Sequence, residues 1–411
     1  MKDAATTVDN HHLANSMAEL VFSRYKSCPA KCKPTVRPDG TREWTNLASV
    51  VVRTAEEELV CTSIATGVKA MPDNTIATAG GRILHDCHAE ILAIRAFNRY
   101  LINECQKLDG DESYFSRCVV RNANTESRNF KRFRLGEKCQ IYLLATEVPC
   151  GDASMEQTGA GTKEAWDATL LERGRPLKGR EYFSEIGQVR TKPGRSDAPE
   201  SLSKSCTDKL CLRQFTSLLL TPTTLLMETD GMYLAALIVP ESKLNTESFT
   251  RAFGRYGRLS RMLGLDDDRS YGFWPFEYWT YGWPRFEHSK ESIDEDSSKP
   301  SNISLIYVAN MEDVESIIKG RKMGAKASSV SGASVVSRIL LIHDAIRLAG
   351  RDSGLSPTMY LDLKRDPARQ RQKDICRRAL GNWWQTSEDN FVIGDRLSEG
   401  SGAIELRTGR Q

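Results

Sequence analysis

Apolar positions along the chain fall into a few dense runs separated by long polar stretches, and the spacing inside each run predicts an element. "EWTNLASVVVRT" (43–54) and "EELVCTSIATGVKAM" (57–71) are rich in Val, Ile and Thr, and predict two half-buried strands, the second ending in a glycine-containing turn. Over residues 88–102, Ile91, Leu92, Ile94, Phe97 and Leu101 recur at helical spacing with alanines between them. That pattern predicts a helix buried on most sides. Ile141–Ala145, "MYLAALIVP" (232–240) and "SLIYVAN" (304–310) predict further strands.

The polar stretches set the organisation. Residues 1–15 predict a flexible N-terminal tail, 109–138 a charged surface excursion, 287–302 a disordered Ser- and acid-rich insertion, and 396–411 a flexible C-terminal tail. No internal repeat appears, and strand and helix patterns alternate across every boundary. A single α/β domain over 16–395 is the expectation.

Composition narrows the class. With 40% hydrophobic and 27% charged residues, the 411-residue chain has the make-up of an ordinary globular protein. No run reaches the about 18 apolar residues of a membrane span, and the N-terminus lacks the apolar core of a secretory signal. The 11 cysteines are odd in number and scattered, which suits a reducing, intracellular compartment, cytoplasmic or nuclear, better than a disulfide scaffold. A net charge of +3 says nothing by itself about a polyanionic partner. One run stands out: residues 364–378, "KRDPARQRQKDICRR", carry seven basic side chains. Its ordinary reading is a solvated helix face.

Three segments each put a possible metal ligand where an element begins: "HAE" with His88, "PCGD" with Cys150 and "SCTDK" with Cys206. One imidazole and two thiolates suit zinc, leaving a fourth tetrahedral position for water. Glu90, beside such a water, would be a proton shuttle and not a ligand. Each residue also has a bland reading: a capping histidine, a buried thiol acting as a small hydrophobe, a first-turn carboxylate complementing the helix dipole. Singly those readings win; together, the pattern H-x-E before a buried helix and P-C-G after a buried strand favours a zinc nucleobase deaminase site. The short signature places a second cysteine three residues after the first, but Ala153 stands there. Cys206, 56 residues on, is the best source of the second thiolate. Cys28 and Cys32 form a "CPAKC" without a companion pair, and Cys87 and Cys211 are read as packing residues.

"DCHAEI", "PCGDAS" and "SCTDK", in that order with a long gap before the last, resemble the adenosine deaminase domain shared by RNA-editing adenosine deaminases and eukaryotic tRNA-specific adenosine deaminases. The resemblance runs from about "EWTNLA" to "DNF". It implies a cytidine-deaminase-like mixed sheet with surrounding helices, enlarged by C-terminal helical and strand elements. It also implies one catalytic Zn2+ on His88, Cys150 and Cys206, Glu90 as shuttle, and hydrolytic conversion of adenosine to inosine in RNA.

The same resemblance implies a buried inositol hexakisphosphate held by Arg95, Lys209, Tyr360, Lys364, Lys373, Trp384 (with Trp383 in the neighbouring register) and Asp389. A relay from Cys206 through Lys192, Asp86 and Lys209 would couple it to the metal. His85, Ile94, Leu212 and Leu341 depart from the family pattern, so Arg213 and Arg369 are expected to supply contacts. After "RTK", Pro193 and Arg195 replace the glycine- and acid-containing flipping loop of the double-strand editors, and the chain has no room for their additional RNA-binding domains. The tRNA branch follows: a monomer is expected, acting on the adenosine immediately 3′ of the anticodon of tRNA-Ala, with no DNA or membrane partner, and with Lys69 and Arg195 approaching the RNA backbone. The rival readings are a deaminase of double-stranded RNA or free nucleosides, and a non-catalytic zinc-stabilised RNA-binding protein. A structural zinc site wants four protein ligands and has no use for Glu90.

Overall fold

The structure is a computed structural model. It describes residues 4–123, 130–156, 176–179, 185–192, 199–262, 272–292, 298–326, 329–350, 358–381, 383–393, 398–399 and 402–403. Its centre is an eight-stranded mixed sheet built from β1 (Leu47–Arg53), β2 (Leu59–Thr66), β3 (Gln140–Ala145), β4 (Leu234–Pro240), β5 (Glu277–Tyr281), β6 (Ser304–Val308), β7 (Glu315–Ile318) and β8 (Arg321–Lys322). The order across the sheet is β5-β4-β3-β1-β2-β6-β7-β8. β3, β4 and β5 run parallel, and every other neighbouring pair is antiparallel. This is the mixed α/β fold that the alternation of strand and helix patterns leads one to expect.

Strand β3 shows why its sequence is a continuous apolar run. Side chains alternate across a sheet, and both faces here are covered. Ile141, Leu143 and Ala145 enter the core under α2 (Ala89–Gly110), whereas Tyr142 and Leu144 enter the one under α1 (Ala4–Ser27). On α1, Ala14, Met17, Ala18, Val21, Phe22 and Tyr25 form the buried stripe. Each large apolar side chain taken from water contributes roughly 1.5–3 kcal/mol, enough to hold a helix whose first turns are polar. Residues 4–15 are therefore helical, and Ala14 is fully buried, where a flexible tail was expected.

Two other polar stretches are also more ordered than their composition suggests. Within 109–138, Val119–Arg121 pairs with Phe133–Leu135, and Cys118, Val119 and Phe133 are buried; residues 124–129 lie outside the described residues. Within 287–302, Ser298–Pro300 pairs with Arg42–Trp44, and buried Ser301 donates to Glu43 at 2.9 Å; residues 293–297 lie outside the described residues. Beyond residue 395, Ser398–Glu399 pairs with Gly402–Ala403, and the rest of that tail is outside the described residues.

Among the described residues, α3 (Cys206–Thr216), α4 (Thr246–Phe253), α5 (Arg338–Ala349) and α6 (Pro367–Leu380) add to the packing. All eleven cysteines are free thiols. Cys28 and Cys32 are buried, the second accepting from Ser316 Oγ at 3.0 Å, while Cys87 and Cys211 pack in the main core. No helix among the described residues is long and apolar enough to cross a membrane.

Candidate active site

His88 closes a short strand, Asp86–His88, that pairs with Val68–Ala70. Gly67 makes the pairing possible: a Cβ there would lie 2.1 Å from the Cys87 carbonyl oxygen, and its φ of +147° is open to glycine. His88 is the N-cap of α2, but its ring is not spent on capping. Cys206 is the first residue of α3, capped by Ser205, which accepts from the Asp208 backbone N–H. Cys150 follows β3 and precedes a 3₁₀ turn at Asp152–Ser154 that continues into helical residues Met155 and Glu156, whereas Cys206 is itself the first residue of an α-helix. Gly151, at φ +109°, lets the Cys150 loop meet that helix, because a Cβ would sit 2.2 Å from Ser205 Oγ. Thr207 then donates from its backbone to Cys150 O at 3.0 Å and from its hydroxyl to Pro149 O at 2.9 Å.

The result is a tight donor set. His88 Nδ1 lies 3.6 Å from Cys150 Sγ and 3.6 Å from Cys206 Sγ, and the three atoms fall within 4.8 Å of one another. Bond lengths of about 2.05 Å to nitrogen and 2.3 Å to sulfur, meeting at a tetrahedral angle, put N and S about 3.6 Å apart. The residues fit a zinc ion. Among the described residues this is the only such His/Cys/carboxylate cluster. Cys150 is held well below the usual thiol range, first by its hydrogen bond with Cys206, whereas burial and the Cys150 thiolate push Cys206 up.

Glu90 stands in the first turn of α2, buried, with Oε2 lacking a hydrogen-bond partner. Burial and then the Cys150 charge push its carboxyl up. Behind the donor set lies a continuous chain of contacts. Lys192 Nζ donates to Cys206 Sγ at 3.3 Å and to both Asp86 oxygens at 2.8 and 2.7 Å. Lys209 Nζ donates to the same carboxylate and, at 2.7 Å, to Ser203 Oγ. Burial opposes both charges, but Lys192 and Lys209 outweigh it to hold Asp86 well below the carboxylate range, and Asp86 with Cys206 holds Lys192 above the lysine range. Cys206, Lys192, Asp86 and Lys209 are thus in contact in the order expected of a relay.

With this geometry in place, comparison with known proteins is decisive. The adenosine-deaminase (editase) domain matches residues 63–387. The chain belongs to the editase domain family. Among curated proteins, it is 33% identical over 392 residues to the tRNA-specific adenosine deaminase 1 of Schizosaccharomyces pombe, covering 93% of this chain and 97% of that one. The Saccharomyces cerevisiae protein of the same name is 34% identical over 269 residues, 62% of this chain and 64% of that one. The Drosophila melanogaster one is 25% identical over 407 residues, 92% and 93% of the two chains.

A second polar centre of this editase domain lies around Arg95, about two turns of α2 beyond His88. Arg95 donates through Nε to Val336 O at 2.9 Å, and Arg213 to Ser217 O and Leu219 O at 3.3 and 3.0 Å. Arg369, buried, reaches Leu219 O as well. Lys364 lies over the Tyr360 ring, 5.1 Å from its centroid, and that ring stacks on Phe391. Burial, then neighbouring cations, push Lys364 down to about 8, Lys373 to about 7 and Arg213 to about 9. Gln372, fully buried on α6, has neither side-chain polar atom hydrogen-bonded. Burial of mutually repelling cations is costly without an anion among them. These residues fit a polyanion.

Asp389 accepts from Gly81 N at 2.9 Å, His85 Nε2 at 3.0 Å and Arg338 at 2.8 Å, so it holds His85 and Arg338 in place. Of the two tryptophans, Trp383 has Lys204 and Arg377 over its ring, at 5.6 and 5.8 Å, and Trp384 is half-buried beside it. Sequence reasoning missed Arg338, Gln372 and Lys204. Arg338 could have been found as the cation that opens the apolar first turn "RILLI" after the Ser337 cap. Leu212 is partly buried against the main core and Leu341 fully buried within it. Lys69 is half-buried on the strand beside His88, opposite Cys87. Arg195 lies outside the described residues.

Proposed function

We propose that this protein deaminates adenosine to inosine in tRNA, at the adenosine immediately 3′ of the anticodon of tRNA-Ala, with one zinc held by His88, Cys150 and Cys206. The observation that carries the reading is the convergence of one imidazole and two thiols beside a buried carboxylate that has an oxygen to spare. Zinc, when bound, supplies the Lewis acidity that makes water nucleophilic near neutral pH. Glu90 would take a proton from the attacking water and give it to the purine ring nitrogen, then take the proton of the new C6 hydroxyl and give it to the amine as the C6–N bond breaks and ammonia leaves. Its short side chain on the rigid first turn of α2 keeps it within reach of both. Lys192 fixes the Cys206 thiolate by a charge-assisted bond and is itself fixed by Asp86.

The tRNA branch is supported by the names of the relatives and by Pro193 and Arg195 after "RTK". A base in an anticodon loop is already partly unpaired, so little energy is needed to bring it into a pocket. Lys69 and Arg195 are read as backbone contacts, and inositol hexakisphosphate as the polyanion around Arg95, Arg213, Lys364, Arg369 and Lys373. A monomer in a reducing, intracellular compartment completes the reading.

Incubation with tRNA-Ala and with a perfect RNA duplex, followed by sequencing for A-to-G changes, tests it. Conversion confined to the tRNA is expected; conversion of the duplex alone would move the protein to the other branch. In the same assay, Lys69→Ala should weaken binding and lower its salt slope by about one phosphate contact, and an unchanged slope removes that contact. For the metal, Cys206→Ala is expected to lose zinc and activity together. Full zinc content in that variant would mean that the third ligand has been misassigned.

A further inference from the structure

Two aspartates follow the two cysteines at the same interval: Asp152 two residues after Cys150, and Asp208 two residues after Cys206. Both carboxylates are fully buried. Each is bound by an arginine from one short segment, α4 and the turn after it. Arg251 Nε donates to Asp152 Oδ2 at 3.1 Å and Arg251 Nη2 to Asp152 O at 2.9 Å, with Glu156 on the guanidinium's other edge at 3.1 Å. Arg258 Nη1 donates to Asp208 Oδ1 at 2.7 Å, and this arginine is nearly as buried as its partner. Asp208 Oδ2 accepts from Ser205 Oγ at 2.6 Å and from Arg190 N at 3.0 Å, which fixes the cap of the Cys206 helix.

The two arginines are tied to each other. Arg258 N donates to Arg251 O at 2.9 Å, across a turn whose glycines cannot be replaced. A Cβ on Gly254 would lie 2.5 Å from Thr250 O, and one on Gly257 would lie 2.2 Å from Arg251 O. Just ahead of α4, Lys243 pairs with Glu147, three residues before Cys150, and, at 3.0 Å, with Glu291. One short stretch, 243–258, therefore holds residues on both sides of Cys150 and just after Cys206. Fold stability alone does not call for the same piece to hold both thiolate segments at matched positions.

We infer that α4 and its glycine turn are a strut that sets the separation of the two thiolates, with Arg251 and Arg258 as positioning residues for the metal. The inference rests on the zinc reading. It follows the general behaviour of groups behind a metal's ligands, whose loss typically weakens metal binding on the order of 10–100-fold.

The test uses the full zinc-loaded chain. Zinc release to a chelator and the ligand-field spectrum of the cobalt-substituted protein are measured for Arg251→Gln, for Arg258→Gln combined with Asp208→Asn, and for a control pair, Arg99→Gln with Asp344→Asn. The second variant leaves no orphaned buried charge, so it remains informative if a single change at Arg258 fails to fold. The control removes a buried ion pair, Arg99–Asp344, from the α2–α5 contact. Both strut variants are expected to bind zinc on the order of 10–100-fold more weakly and to shift the cobalt bands, with Arg251→Lys restoring much of the loss. The control should lose thermal stability with unchanged metal parameters. Wild-type release rates and spectra in both strut variants, or equal losses in the control, would overturn the strut while leaving the zinc site standing. A wild-type protein that binds no zinc would overturn both.

Discussion

Glu90→Ala is expected to abolish inosine formation while the protein keeps its zinc and its fold. A general acid–base group typically contributes about 10²–10⁴-fold, and this one serves more than one proton transfer, so the loss should lie at or above that range. The metal should stay because Glu90 is no part of the cluster formed by His88, Cys150 and Cys206. Stability should stay or rise, because the wild-type carboxylate is buried with one oxygen lacking a partner, and a buried polar group without a bond is a cost to folding. Glu90→Gln keeps the side chain's volume and separates loss of the proton from loss of packing. Single-turnover rates, metal content and thermal unfolding measured on the three proteins decide the matter. Turnover retained in either variant would place the proton transfer on another group.

What could be read from the sequence, and what could not, divides along a physical line. His88, Glu90, Cys150 and Cys206 were visible because metal chemistry restricts residue type, and because each stands where a periodic apolar run starts or stops. The five inner strands were visible because strands buried on both faces, such as β3, read as unbroken apolar runs, whereas β5 at one edge and β7 and β8 at the other were not. Helix α1 was obscured by Thr6, Thr7, Asp9, Asn10, His11 and His12 ahead of its buried stripe. Only the tertiary contact of Ala14, Met17 and Val21 with the sheet outweighs that polar start. Arg338 and Gln372 were obscured for the opposite reason: each is one polar residue within a helical pattern. Its meaning comes from neighbours brought in from distant segments, as when Arg338 meets His85 and Asp389. The strut was likewise out of reach, since Arg251 and Arg258 acquire their partners only through the fold.

Protein purified from a eukaryotic host is expected to carry about one inositol hexakisphosphate per chain, because a cluster of buried and half-buried cations this dense needs an anion to offset its self-repulsion. The solvated-helix reading of residues 364–378 accounts for exposed Arg365, Arg371 and Arg378 but not for Arg95, Arg213 and buried Arg369. The pH dependence gives a second readout, and its sign can be worked out. Lys373 and Lys364 are pushed down to about 7 and 8, against an ordinary lysine near 10.4. Between those values the unfolded chain binds more protons than the folded one. The cluster's contribution to stability therefore rises with pH across the window from about 7 to 10, and is lost as pH falls through it. A polyanion among the lysines favours their charged form and removes that rise: the stability is then present throughout the window and lost only as pH climbs above the ordinary lysine value of about 10.4. Denaturant midpoints at the two ends of that window should rise with pH for protein without added inositol hexakisphosphate and stay level for protein with it. Mass spectrometry of the denatured protein identifies the ligand, and cells unable to make it should yield misfolded chain. Stable, active protein free of phosphate, with the same pH trend whether or not the compound is added, would remove the polyanion from this fold and leave the zinc assignment untouched.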